Sequence, residues 1–317
     1  MLKEFKGVQV LLVDPGIVDE IYKNKEILIE TVLNCGSLND PEFIDWDKSP
    51  NCFIVLKSYE GEQKQTALTR VSYDSTKLKL LKDYQKAPVS GLTPRNKEQN
   101  MLLNTLMDPA VTCQVVTGLA GGGKTLCSTA AAFHQTFERD DLPYDQIILT
   151  RPMDPVGRTS LGALPGTAEE KFSPYLTNFF SNFSCLLGKH GESYVRMLME
   201  SKKIEMVPLQ LIGGASYSNA FILADEVQSL SEDEMYALGT RVSENSKIVL
   251  MGDYRQRYGR RGNVKETGLY RLMNSPILQE SPFAAAIKLI KQERSQVAGL
   301  FTEIFEWDLE RESKKNV

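Results

Sequence analysis

The chain has 317 residues, a formal net charge of −4, 42% hydrophobic and 25% charged residues. This composition belongs to a globular protein long enough for about two or three domains, and it excludes a global basic field that would by itself attract nucleic acid. Five cysteines without a CxxC pair and only two histidines point away from zinc sites and disulfides and toward a reducing cytoplasm.

The stretch from Met1 to Gly7 lacks the apolar centre of a signal peptide, and no apolar run reaches the length of a membrane span. Residues 8–13 read as a short strand that stops at the turn Asp14-Pro15-Gly16. Residues 17–33 carry Ile17, Ile21, Ile27, Leu28 and Val32 at helical spacing. A strand, an acid and a helix in this order also open nucleases of the PIN type, but Asp14 and Asp19 read more simply as turn and helix-start residues. Residues 52–58, 66–73 and 77–81 form a small β-meander with turns at Glu60-Gly61-Glu62 and Asp74-Ser75. Its Lys57, Arg70, Lys77 and Lys79 read first as a solvated strand face and second as nucleic-acid contacts. Residues 82–94 are a linker punctuated by Pro88, Gly91 and Pro94. The expected organisation is a small, mostly-β module over 1–90, a larger domain over 91–309 and a flexible charged tail over 310–317.

The larger domain opens with Arg95-Asn-Lys-Glu-Gln99 and a helix from Asn100 to Met107. Asn96 suits the helix N-cap. Gln99 can both donate to and accept from the adenine edge through one amide. The guanine-reading Asn-Lys-x-Asp is absent, so ATP is preferred over GTP. Next, Gly118-Leu-Ala-Gly-Gly-Gly-Lys124-Thr125 reads GxxxxGK[ST], between a β-rich run, Gln114 to Thr117, and a good helix former, Thr125 to Phe133. Gly118, Gly121, Gly122 and Gly123 let the backbone turn its N–H groups onto phosphates. Lys124 reaches the β- and γ-phosphates, Thr125 offers its hydroxyl to Mg²⁺, and the helix start adds positive potential.

A second strand, Gln146 to Thr150, runs into Arg151, which falls on the ligand edge of an open parallel sheet. The Gly- and Pro-rich stretch Val156–Gly166 reads as a loop carrying Arg158. Phe and Leu recur at helical spacing over Glu169–Leu187, so packing is the reading there. A helix over 192–201 and a strand over Ile204–Pro208 follow. Then an apolar strand from Asn219 ends in Asp225-Glu226. Asp225 is placed to bind Mg²⁺ and Glu226 to orient or deprotonate a water. Ser231 to Glu234 is a capping box that opens a helix through Arg241. The strand Ser246–Met251 ends in Gly252-Asp253, where Asp253 or Gln256 can sense the γ-phosphate. Four arginines follow within seven residues, from Arg255 to Arg261. Arg255, Arg260 and Arg261, with Arg151 and Arg158, are the candidate nucleic-acid contacts; a solvated turn is the other reading of the cluster. Pro282–Glu306 is expected to be helical with a break near Glu293-Arg294-Ser295.

With these residues in order, the chain resembles the PhoH family of ATPases, which look like single core domains of superfamily 1 helicases. The likeness covers roughly residues 90–306. It rests on Arg95–Gln99, the phosphate loop, Thr150-Arg-Pro152, Leu161–Gly166, Ala220–Gln228, Gly252-Asp253 with Gln256, and Glu293–Ser295. Upstream, Pro50–Lys57 and Ala67–Arg70 look like the linker of PIN–PhoH fusions, and the short form is similar to phage PhoH-like proteins. The resemblance implies ATP hydrolysis coupled to RNA or single-stranded DNA in a hexameric ring, with Arg294 as finger or γ-phosphate sensor. One departure stands out. Many relatives carry Arg-Gly-Arg before the acidic strand, where this chain has Ile212-Gly213-Gly214.

The expected fold is therefore α/β, a RecA-like P-loop NTPase core with a parallel sheet behind a small β module. Lys124, Glu226, Arg294 and Gln256 are the expected catalytic residues. Asn96, Gln99, the loop glycines, Lys124, Thr125 and Asp253 would hold ATP; Thr125 and Asp225 would hold Mg²⁺. Only about sixty residues follow Asp253, too few for a second core. The opposite wall of the site is expected from another subunit of a homo-oligomer, with Arg294, Arg241 or Arg255 reaching across. The alternatives are an ATP-gated scaffold that does not translocate and a small-molecule kinase. Glu226 argues against the kinase, which must exclude water.

Overall fold

The computed structural model describes residues 2–35, 46–60, 63–152, 177–214, 216–253 and 267–291, with 293, 297, 299, 300 and 304. Arg158, Arg255, Gln256, Arg260, Arg261 and Arg294 lie outside these residues, as do the Val156–Gly166 loop and the 310–317 tail.

The N-terminal strands are β1 (Gln9–Leu12), β2 (Glu26–Leu28), β3 (Phe53–Glu60), β4 (Gln63–Val71) and β5 (Lys77–Leu80). They form one sheet in the order β1-β3-β4-β5-β2. β3, β4 and β5 are the expected meander; β1 adds in parallel to β3, and β2 antiparallel to β5. The expected helix over 17–33 is corrected. Helix α1 (Pro15–Asn24) stops at Lys25, whose φ of 66° is left-handed, and β2 intervenes before α2 (Ile29–Cys35). Ile17 and Ile21 on α1, Ile27 on β2 and Val32 on α2 all reach one core with Ile54, Leu56 and Leu78. The helical spacing of those residues was real, but pairing with β5 overrode it.

Beyond β5 the chain holds α3 (Lys97–Leu106), β6 (Cys113–Gly118), α4 (Lys124–Phe133), β7 (Gln146–Arg151), α5 (Thr177–Leu187) and α6 (Gly191–Glu200). It continues with β8 (Ile204–Pro208), β9 (Ala220–Ala224), α7 (Glu232–Gly239), β10 (Lys247–Gly252), α8 (Gly268–Met273), α9 (Pro276–Glu280) and β11 (Ala284–Leu289). Six strands, all paired in parallel, run in the order β11-β6-β10-β9-β7-β8. This is the RecA-like P-loop arrangement, with the acidic strand β9 separated from the phosphate-loop strand β6 by β10.

Strands buried on both faces read as continuous apolar runs, and these do. Val116, Leu149, Phe221, Leu223, Val249 and Met251 face α3 to α6, where Met101, Ala130, Phe179 and Phe183 are buried. Their neighbours Val115, Ile148, Ile222, Ile248 and Leu250 face the opposite layer with Met235, Leu238 and Leu269. The aromatics of α5 are core residues, as their spacing implied.

The expected helix over Pro282–Glu306 is also corrected, because Ala284–Leu289 is strand β11. Ala284-Ala-Ala is a good helix former by propensity. Parallel pairing with β6 along its whole length, from Ala284 opposite Cys113 to Leu289 opposite Gly118, decides otherwise.

The two sheets are joined by polar contacts and packing. Phe53 and Val55 on β3 belong to the same core as Val116, Leu149 and Val249 of the six-stranded sheet. Asn51 Nδ2 donates to the carbonyls of Pro282 (3.0 Å) and Ala284 (2.8 Å). Arg70, read from sequence as a solvated or nucleic-acid-facing charge, pairs with Asp108 at 2.6 Å and is mostly buried. Among the described residues no helix is long and apolar enough to cross a membrane.

Candidate nucleotide-hydrolysis site

Parallel pairing brings the C-terminal ends of β6, β7, β9, β10 and β11 to one edge, where open α/β sheets bind ligands. The phosphate loop leaves β6 there. Gly118, Gly121 and Gly123 have φ of 142°, 83° and 94°, values that L side chains rarely adopt. Space is equally restrictive. A Cβ on Gly118 would meet the Leu289 carbonyl at 2.3 Å, and one on Gly123 would meet Gln99 Nε2 at 2.7 Å. Helix α4 starts at Lys124 directly after Gly123, so its free N–H groups open on the loop.

Lys124 Nζ donates to the carbonyls of Gly118 (2.7 Å) and Leu119 (3.0 Å). The amine thus rests over the loop that phosphates would fill. Thr125 Oγ1 lies 3.3 Å from Asp225 Oδ2, from the end of β9. Asp225 is 4% exposed. Burial first, then the neighbouring Glu226 carboxylate, pushes its carboxyl up to about 6, against the pull of Arg151 and Lys124. A buried carboxylate facing a threonine hydroxyl is a pair of hard oxygen donors, which suits Mg²⁺. Among the described residues no group of three or more His, Cys, Asp or Glu side chains could hold a metal. A Mg²⁺ ion here would take its other ligands from phosphate and water.

Glu226 follows with φ 57° and ψ 32°. This is left-handed backbone for a residue with a side chain, a cost kept only where the surroundings impose it. Its Oε1 is 3.8 Å from the Arg151 guanidinium, and its Oε2 accepts from Gln228 Nε2 at 2.6 Å. Arg151, a nucleic-acid candidate from sequence, is 17% exposed and turned toward this carboxylate. Asp253 is buried at the end of β10, its N–H donating to Gln228 Oε1 at 3.2 Å.

On the other side of the loop, Asn96 caps α3 by accepting from the Gln99 N–H at 3.0 Å. Gln99 uses both ends of its amide within the chain. Its oxygen accepts from the Arg95 N–H (2.8 Å) and its nitrogen donates to the Gly122 carbonyl (3.0 Å). In this arrangement Gln99 braces the phosphate loop. Asn96 also donates to Glu293 at 3.0 Å, and the Glu293 N–H donates to the Gly121 carbonyl at 3.1 Å. Glu98 accepts the N–H groups of Ile290 and Lys291, each at 3.3 Å. The exit from β11 is therefore tied to both α3 and the loop.

Sequence reading missed the roles of Gln228, Glu98 and Glu293. Each lies within a motif string, but nothing in the spacing shows that they meet. Arg241 lies elsewhere. The chain around it pairs with Tyr217 and Asn219, ahead of β9, so it sits at the opposite end of the strands from the loop.

The PhoH-like protein family matches residues 91–306. Protein PhoH2 of Bacillus subtilis is 34% identical over 258 residues, covering 80% of this chain and 56% of that protein. Protein PhoH2 of Thermobispora bispora is 31% identical over 241 residues, covering 76% of this chain and 53% of its own. The chain thus spans about half the length of the curated relatives it matches. Among solved structures, the Pif1 helicase of Candida albicans gives a loose likeness, with TM-score 0.34 and 15% identity over 68% of this chain and 44% of that one. Motif, strand order and sequence similarity agree: the chain belongs to the PhoH-like family of P-loop proteins.

Proposed function

We propose that this protein hydrolyses ATP, coupled to binding, remodelling or unwinding of single-stranded RNA or DNA, at a site completed between subunits of a ring. The observation that carries hydrolysis is the convergence of Lys124, Thr125, Asp225 and Glu226 at one strand edge, with Thr125 and Asp225 3.3 Å apart. The loop N–H groups and Lys124 bind the β- and γ-phosphates. Thr125 and Asp225 would hold Mg²⁺, which neutralises charge on those phosphate oxygens. Glu226 accepts a proton from water as the water oxygen attacks the γ-phosphorus and the bond to the β–γ bridging oxygen breaks. ADP and inorganic phosphate result. Asn96 and Gln99 flank the loop on the side proposed for adenine; a base contact by Gln99 would exchange one of its present hydrogen bonds. Asp253, Gln256 and Arg294 are proposed to read the γ-phosphate. Arg158, Arg255, Arg260 and Arg261 are proposed strand contacts, and Arg151, whose side chain faces Glu226, serves the carboxylates first.

A scaffold that binds ATP without translocating is the second reading, favoured by one observation. Ile212, where the family resemblance leads one to expect arginine, is buried in one apolar cluster with Leu209, Tyr217 and Leu238 and offers no charge there.

Phosphate release from size-fractionated protein, with and without single-stranded RNA or DNA, tests the proposal. Stimulation by a strand, with salt-sensitive binding, is the expected result. Hydrolysis without stimulation favours the scaffold. Lys124→Ala should abolish turnover under either reading; persistent turnover would place the chemistry elsewhere.

A further inference from the structure

Gln228 is 3% exposed and bridges the ends of two strands. Its Nε2 donates to Glu226 Oε2 at 2.6 Å, and its Oε1 accepts from the Asp253 N–H at 3.2 Å. The two contacts fix which way the amide points. A backbone N–H can only donate, so the amide oxygen must face Asp253 and the NH₂ must face the carboxylate. The amide also lies against Gly252, where a Cβ would meet Gln228 Oε1 at 2.8 Å and Leu269 Cδ2 at 2.6 Å. The glycine of Gly252-Asp253 is therefore the space through which Gln228 reaches Asp253. With Oε2 engaged, the other oxygen of Glu226 is turned toward Arg151, 3.8 Å away.

We infer that Gln228 is a positioning residue, which fixes the Glu226 carboxylate so that Oε1 is the oxygen presented to the attacking water. The inference rests on the hydrolysis reading above and adds to it the group that aims the base. Without the amide donor, Glu226 can turn about its side-chain bonds, and a misplacement of about 1 Å can cost on the order of 10²-fold in rate. ATP binding, which belongs to the loop and Lys124, is left alone.

The test measures kcat and KM for ATP, with melting temperature, on the full chain and on Gln228→Met and Gln228→Glu. Methionine fills the space without a donor or acceptor; ionised glutamate keeps the acceptor for Asp253 but sets a second carboxylate against Glu226 where the donor stood, 2.6 Å away. Both should lower kcat by about tenfold or more while KM holds, with a fall in melting temperature from the buried polar group each leaves unpaired. If Gln228→Met fails to fold, Gln228→Glu decides. Unchanged kcat in a folded variant overturns this inference alone. A fall in kcat that comes with lost ATP affinity, or failure of both variants to fold, assigns Gln228 to packing and also overturns it. No phosphate release by the wild-type chain overturns the hydrolysis reading and this inference together.

Discussion

Two charged residues, Glu226 half-buried and Lys247 fully buried, show how the same physics serves different ends. Glu226 is held in left-handed backbone with one oxygen bonded and the other turned to a guanidinium. Glu226→Gln should retain nucleotide binding and lower turnover by about 10²-fold, the scale of a lost general base; phosphate release beside a nucleotide-binding assay checks both halves. Lys247 is fully buried at the N-terminal end of β10, the end away from the phosphate loop. Its Nζ donates to the carbonyls of Thr105 (3.2 Å), Leu106 (2.5 Å) and Asp108 (2.8 Å), capping the C-terminal end of α3 from another element. Burial pushes this amine down to about 7, while the facing Asp108 carboxylate raises it and Arg70 lowers it. Lys247→Met should lose about 1–3 kcal/mol by leaving carbonyls without a donor. The pH dependence has a definite sign. The folded-state value lies below the ordinary 10.5, so between pH 7 and 10.5 the unfolded chain holds a proton that the folded chain has released. The cost of the buried charge is full below pH 7 and fades as pH rises through that window. The stability advantage of wild type over Lys247→Met should grow from neutral to alkaline pH in denaturant titrations, and a flat or falling difference would contradict this.

At the scale of elements, β11 is the piece that local sequence conceals. Its alanines favour helix, yet it completes the sheet beside β6, and its last residue touches the phosphate loop. The Leu289 carbonyl lies 2.3 Å from where a Cβ on Gly118 would sit. Gly118 therefore serves two elements, the turn of the loop and the close approach of β11. Gly118→Ala should cost about 1–3 kcal/mol by overpacking and weaken nucleotide binding with it. Melting temperature and nucleotide titration should both move; an alanine variant that keeps both would show that β11 and the loop are not coupled.

At the scale of the molecule, the described site residues come from one sheet edge, α3 and the exit of β11. Arg241 sits at the opposite end of the strands, out of reach of its own loop. If assembly completes the site, specific ATPase activity should rise with protein concentration in step with the oligomer seen by native mass spectrometry. An arginine finger from a neighbour is worth on the order of 10³–10⁵ in rate. Full activity in a species that stays monomeric would remove the subunit-completed site.

The phosphate loop, the acidic strand end, the capping residue Asn96 and most of the strands are legible in residue types and spacing alone. Those signals are local: residue types at fixed spacing carry the chemistry, and continuous apolar runs mark strands buried on both faces. Residues 26–28 and 284–289 become strands through long-range pairing, because the ladders with β5 and β6 outweigh helical spacing and alanine propensity. Contacts across the fold also make Gln99 brace the loop, pair Arg70 on β4 with Asp108 past the end of α3, and set Gln228 between Glu226 and Asp253. Each of those is a contact between distant parts of the chain. Its energy comes from mutual burial and hydrogen-bond direction, which no stretch of sequence carries alone.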